Sequence, residues 1–182
     1  MKKVAVFGNA GGGKSTLSKQ LSNITGLPLH VLDKLQYQPG GIAVPREEYL
    51  RSHQLILEQE QWIIDGFGSI NTLWTRLNAA DTLVFVDLPL YVHSWWVTKR
   101  FLTSAIHPPE GYPENSPIVK SALRSYRVLW LCHQRLTPKY REFVDQARST
   151  KQVHHLRSPK QIEQFLDEKT LEQGGQYARN AD

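Results

Sequence analysis

The chain has 182 residues, 40% of them hydrophobic and 21% charged, with a net charge of +5. That is enough for one substantial core in a single domain. The single cysteine, Cys132, excludes an internal disulfide and a cysteine-based zinc site, and its apolar helical surroundings predict a buried structural thiol. Met-Lys-Lys followed by a four-residue apolar run makes neither a secretory signal nor a membrane span, so a cytoplasmic location without a membrane partner is expected.

In chain order, Val4–Phe7 reads as a short buried strand. It runs into Gly8-Asn9-Ala10-Gly11-Gly12-Gly13-Lys14-Ser15, which fits G-x-x-x-x-G-K-[ST], the Walker A phosphate loop. The glycines Gly11, Gly12 and Gly13 let backbone N–H groups converge on phosphate oxygens, and the helix predicted over 14–25 adds its positive N-terminal end. Lys14 has the reach for the β- and γ-phosphates, and the Ser15 hydroxyl is a Mg²⁺ ligand of the right type. Thr16 completes the ATP-facing run that begins at Gly8.

Further strands are predicted at Leu29–Leu32, Trp62–Asp65, Leu83–Asp87 and Val153–Leu156. Helices are predicted over 45–60, 70–79, 89–104, 117–135, 138–148 and 159–169. Ser158-Pro159-Lys160-Gln161 reads as an N-cap, a proline at the first helical position and a capping-box glutamine, while Thr137-Pro138 marks a break between two helices. The alternation of strand and helix predicts a three-layer α/β P-loop NTPase fold with a five-stranded parallel sheet. The single domain spans 1–169, with its core in 1–95 and 138–169, and 170–182 is expected to be a frayed tail.

Ligands of open parallel sheets gather beyond the carboxyl ends of the strands. Three successive strands end there in an aspartate: Asp33, Asp65 and Asp87. Asp65 is assigned to the Mg²⁺ shell beside Ser15, and Asp33 to the acceptor substrate as ligand or base. Asp87 follows four apolar residues in the Walker B manner, but its Leu88-Pro89 neighbours fit a helix start, and a structural role competes.

The charge is uneven. Residues 1–95 and 151–182 are each neutral, and 96–150 carries nine Lys/Arg against four Asp/Glu. This window contains Ile106–Pro117, with four prolines in twelve positions, which can form neither helix nor inner strand. A proline-rich loop between two helices, flanked by Arg100 before it and by Lys120, Arg124 and Arg127 on one helical face after it, predicts a short helical lid over about 96–137. Arg100, Arg124 and Arg127 are the expected clamps on the charge of a transferring phosphoryl group. The basic residues form no dense cluster, which disfavours a nucleic-acid partner.

The Walker A loop, Leu32-Asp33-Lys34-Leu35, Pro39-Gly40, Trp62-Ile63-Ile64-Asp65-Gly66, Arg76-Leu77 and Val86-Asp87-Leu88-Pro89 together resemble small adenylate-kinase-like P-loop proteins. More narrowly they resemble the group called DNA topology modulation proteins, over roughly residues 2–169. The resemblance implies an adenylate-kinase-like core with a mobile lid, ATP and Mg²⁺ as cofactors, Arg157 and Ser158 near the adenine, and Arg76 at the acceptor. Two positions depart from that pattern. Gly68-Ser69 stands where adenylate kinases carry Pro-Arg, and Trp96 stands where relatives carry an arginine.

The expected activity is transfer of the ATP γ-phosphoryl group to a small-molecule acceptor: a nucleotide, a nucleoside or another hydroxyl metabolite. Two alternatives stand beside it, a nucleotide-binding switch or ATPase module without transfer, and a nucleic-acid-associated ATPase.

Overall fold

The computed structural model describes residues 1–37, 42–106 and 118–179. Five strands, β1 (Lys3–Gly8), β2 (Leu29–Val31), β3 (Trp62–Asp65), β4 (Thr82–Val86) and β5 (Gln152–Leu156), form one parallel sheet in the order β2-β3-β1-β4-β5. Strand β1, which carries the phosphate loop, is therefore central. Its register places Gly8 opposite Val86 of β4, so the loop leaves the sheet beside the end of that strand.

Alternation along the strands sorts the core into two layers. Ala5 and Phe7 face one cluster with Phe85, Leu73, Leu77, Tyr140 and Val144, beneath α3 (Arg46–Glu58), α4 (Ile70–Ala79) and α7 (Thr137–Ala147). Val4 and Val6 face the other, with Leu17, Leu21, Val84 and Phe165, beneath α1 (Lys14–Thr25) and α8 (Pro159–Arg179). The result is the expected three-layer α/β architecture. Two further helices, α5 (Leu90–Ile106) and α6 (Ile118–Arg135), pack on each other.

The helix ends follow local chemistry. Ser158 Oγ accepts from the Gln161 N–H at 3.2 Å, the first half of the expected capping box, while the Gln161 side chain accepts from the N–H of Arg157, one residue before the cap, at 2.6 Å. Pro138 has no N–H for the turn that would join α6 to α7, yet the Leu136 and Tyr140 N–H groups keep helical partners at 2.9 Å. The two helices are consequently separated by a minimal break.

Two expectations need correction. A short helix, α2 (Leu32–Gln36), follows β2 directly, which removes Leu32 from the strand and places Asp33 in a first helical turn. Leu32 is fully buried, and an immediate turn is what points it into the core while Asp33 meets the positive end of the helix. In addition, α8 continues through Arg179 instead of fraying from 170: Gly174-Gly175 weakens the helix but, unlike proline, removes no backbone donor. The proline-rich stretch expected at 106–117 lies, from His107 on, outside the described residues, as do the side chains of Arg100, Lys120 and Arg124.

Candidate active site at the phosphate loop

The phosphate loop joins β1 to α1. Gly13 caps α1 in the left-handed region at φ 71°, a conformation that glycine adopts without cost. Helix α5 lies against the loop: β-carbons at Gly11, Gly12 and Gly13 would meet Val97 at 2.6 Å, His93 at 2.9 Å and Trp96 at 2.8 Å. Trp96 thus covers Gly13.

Polar contacts fix the other side of the loop. Asn9, 4% exposed, accepts from the Ala10 N–H through Oδ1 at 2.8 Å and donates through Nδ2 to the Leu129 carbonyl of α6 at 3.0 Å. Lys14 Nζ donates to the Asn9 carbonyl at 2.7 Å. His93 is buried, and burial first, then the Lys14 charge, holds its pKa down at about 4. It stands behind the loop as a neutral imidazole.

The loop walls a cavity of about 290 Å³, whose lining runs through Gly8 and Ala10 to Thr16 and includes Asp33 and Asp65. Two of the three strand-end aspartates therefore reach the phosphate loop, as the strand-end argument expects. Asp65 is 1% exposed, and neither carboxylate oxygen has a hydrogen-bond partner among the described residues. A buried unpartnered carboxylate is costly unless something cationic meets it. Asp33 Oδ1 lies close over Gly66, where a β-carbon would sit 3.3 Å away. The residue has an exposed flank, yet desolvation of its carboxyl and then the nearby Asp65 push its pKa up, against the pull of Lys14 and Arg76.

Asp87 has the structural role. Arg141 grips it with Nε at 2.8 Å and Nη2 at 3.0 Å, and His155 Nε2 lies at 2.8 Å. Burial alone would raise its pKa, but these partners hold it below the ordinary carboxylate value. It binds the end of β4 to α7 and β5 and is not part of the phosphate cavity.

Arg76 differs from expectation. It is 1% exposed, and its Nη2 donates to the carbonyls of Gly66 at 2.7 Å and Phe67 at 3.0 Å. It props the loop after β3 from beneath and does not line the cavity. Arg127 is exposed on α6 and is also absent from that lining. Arg157 is exposed and donates through Nη2 to His155 Nδ1 at 3.3 Å, while Ser158 caps α8.

A second cavity, about 850 Å³, opens between α1, α5 and α8 and shares Gly13 and Thr16 with the first. Pro159, adjacent to Ser158, lies on its wall. Cys132, expected as a buried structural thiol, is half-buried on the wall of the phosphate cavity, and burial raises its pKa. Its position, and those of His93 and Asn9, carried no motif signal. The spacing of His93 and Val97 on one turn-to-turn face of α5 was the available clue to burial.

No family model matches the chain, and no curated protein matches it in sequence. Solved structures do match its fold. Shikimate kinase from Acinetobacter baumannii in complex with shikimate superposes with a TM-score of 0.57 at 13% identity, covering 92% of this chain and 90% of that one. Shikimate kinase from Bacteroides thetaiotaomicron superposes with a TM-score of 0.54 at 16% identity, covering 91% and 94%. The chain has the three-layer α/β fold of small P-loop kinases, its phosphate loop at the centre of a five-stranded parallel sheet.

Proposed function

We propose that the protein is a kinase that transfers the ATP γ-phosphoryl group to a small acceptor. The observation that carries this reading is the convergence of Asp33 and the unpartnered Asp65 on the cavity that holds Lys14 and Ser15. A switch also needs one carboxylate at the metal, whereas transfer needs a second acidic group placed where an acceptor hydroxyl would enter, and Asp33 is that second group. Within the fold, the Leu32-Asp33 and Trp62–Gly66 segments support kinship with the DNA topology modulation group of adenylate-kinase-like proteins.

The residues fit Mg²⁺ and ATP. The metal takes oxygen ligands and keeps several waters, so Ser15 Oγ and the Asp65 carboxylate suffice on the protein side. Bound together, Mg·ATP would supply the activated phosphoryl group and offset its charge. The loop N–H groups and Lys14 orient the phosphates, and Asp33 receives the proton of the acceptor hydroxyl. Its raised pKa suits a group that must hold a proton during the step. Gly13 and Thr16 continue from the phosphates into the larger cavity, which suits a nucleoside with Arg157 and Ser158 beyond it. Arg100, Arg124 and Arg127 remain the proposed cations of a lid.

Lys14→Ala tests the proposal. Acceptor-dependent ADP formation should fall at least about 100-fold, the scale of losing one transition-state charge contact. Turnover that needs no acceptor, or that survives this substitution, would refute the kinase reading. Tight nucleotide binding with no transfer would point to a switch module instead.

A further inference from the structure

We propose that Asn9 is a positioning residue for Lys14: it ties the phosphate loop to helix α6 and sets where the lysine ammonium meets incoming phosphates. The proposal rests on the nucleotide-binding half of the kinase reading above.

Asn9 occupies a position that the G-x-x-x-x-G-K-[ST] pattern leaves open. It is nevertheless 4% exposed, and three hydrogen bonds converge on it. Its Nδ2 donates to the Leu129 carbonyl at 3.0 Å, across 120 residues of chain. Its Oδ1 accepts from the Ala10 N–H at 2.8 Å. Its main-chain carbonyl accepts from Lys14 Nζ at 2.7 Å. The side-chain amide has one workable orientation. Reversed, it would set a donor against the Ala10 N–H and an acceptor against the Leu129 carbonyl.

The Asn9 carbonyl and the Ala10 N–H belong to one peptide group, and a peptide group is planar. Holding the N–H end with the Asn9 side chain therefore fixes the direction of the carbonyl. That direction decides where Lys14 Nζ rests. A lysine ammonium is a point charge on a flexible stem, with three donors that rotate together. A bond to the Asn9 carbonyl restrains the stem on the loop side of the cavity, and such an ammonium serves a carbonyl and phosphate oxygens together.

Helix α6 supplies the anchor. Leu129 is 2% exposed and lies within the helix, and a carbonyl oxygen has a second lone pair for Asn9 beside its helical bond. Val128 and Cys132 of the same helix line the phosphate cavity with Lys14. One side chain thus links the α6 wall of the cavity to the aim of the ammonium. A shift of α6 against the loop would turn the Asn9–Ala10 peptide and carry Lys14 Nζ with it.

A double-mutant cycle on the full chain tests the proposal. Binding of a non-hydrolysable ATP analogue with Mg²⁺ is measured by calorimetry for the unaltered protein, Asn9→Leu, Lys14→Ala and the double variant. Urea unfolding confirms that each is folded. Asn9→Leu should weaken binding by about fivefold to tenfold, the scale of one misplaced hydrogen bond. In the Lys14→Ala background the same change should weaken it by less than about twofold, because Asn9 acts through the lysine. A residue that only shapes the loop would show the same loss in both backgrounds, and that result overturns the proposal. Hydrogen exchange of the nucleotide-free protein gives a second readout. Amides of α6 around Leu129 should exchange faster in Asn9→Leu than in the unaltered protein, and equal rates refute the tether. Asn9→Ser, with its shorter side chain, takes the place of Asn9→Leu in both measurements if the leucine variant does not fold. Either failure leaves the kinase reading standing, since the unaltered protein still binds the analogue. An unaltered protein that does not bind it refutes the kinase reading, and this proposal with it.

Discussion

Replacing Gly68 with alanine tests whether Tyr49 fills the space beside the loop after β3. Two costs arise. At φ +59° an alanine is strained by about 1–2 kcal/mol. Its β-carbon would also meet Tyr49 Oη at 2.2 Å and Leu32 Cδ1 at 3.0 Å. Displacing the phenol breaks the buried hydrogen bond to Thr72, worth about 1 kcal/mol, and repacking against Leu32 adds about 1–3 kcal/mol. The total is a loss of about 3–6 kcal/mol. Tyr49→Phe alone removes only the hydrogen bond and costs about 1 kcal/mol, since Thr72 Oγ1 keeps its contacts to Ser69 Oγ and the Ser69 carbonyl, both at 3.1 Å. With the hydroxyl gone, Gly68→Ala should become cheaper by about 1–3 kcal/mol, a coupling measured by urea unfolding of the four proteins in the cycle. If the two changes add within about 0.5 kcal/mol, Tyr49 does not fill that space and the account of this loop's packing fails.

Two buried histidines set an acid limit. Burial, then the charges of Arg76 and Lys14 respectively, hold His53 and His93 down at about 4 against an ordinary 6.5. The unfolded chain takes up protons that the folded chain refuses, so their contribution is full above pH 7 and is lost as pH falls through 6.5 towards 4. Each should remove on the order of 2 kcal/mol between pH 7 and pH 5, and His93→Gln should roughly halve that slope. Stability that stays level across this window would contradict their buried neutral state. Asp87→Asn should cost about 1–3 kcal/mol through the weakened Arg141 and His155 contacts while leaving Mg·ATP affinity unchanged. A selective loss of Mg·ATP binding in that variant would return Asp87 to a metal-binding role.

The sheet was legible because its inner strands β1, β3 and β4 are short, apolar and followed by a chemical signal. The phosphate loop marked the end of β1 and aspartates marked the ends of β3 and β4, whereas Asp33 follows β2 by two residues, in the first turn of α2. The direction of a long side chain is different information. Arg76 shares a helix face with Leu73 and Leu77, which places it against the core, but a motif resemblance drew it towards the acceptor. His53 shares a face with Tyr49, Ile56 and Leu57 in the same way. In both cases the helical spacing carried the burial, and the residue type suggested exposure. Asp87 shows the converse: its Walker B spacing was real, yet only the positions of Arg141 and His155, 54 and 68 residues away, decide what it binds. Long-range pairing of that kind leaves no local trace in a single sequence.

The packing of α5 on the phosphate loop bears on how the motif can change during descent. Position 12 is limited by His93, since the β-carbon of an alanine there would approach the ring at 2.9 Å. Whatever the loop binds, this site favours glycine for as long as the helix keeps a large side chain opposite it. The loop pattern then answers to architecture as well as to any ligand. Substitutions at positions 12 and 93 should be inherited as pairs, a smaller residue on the helix arriving before any side chain on the loop.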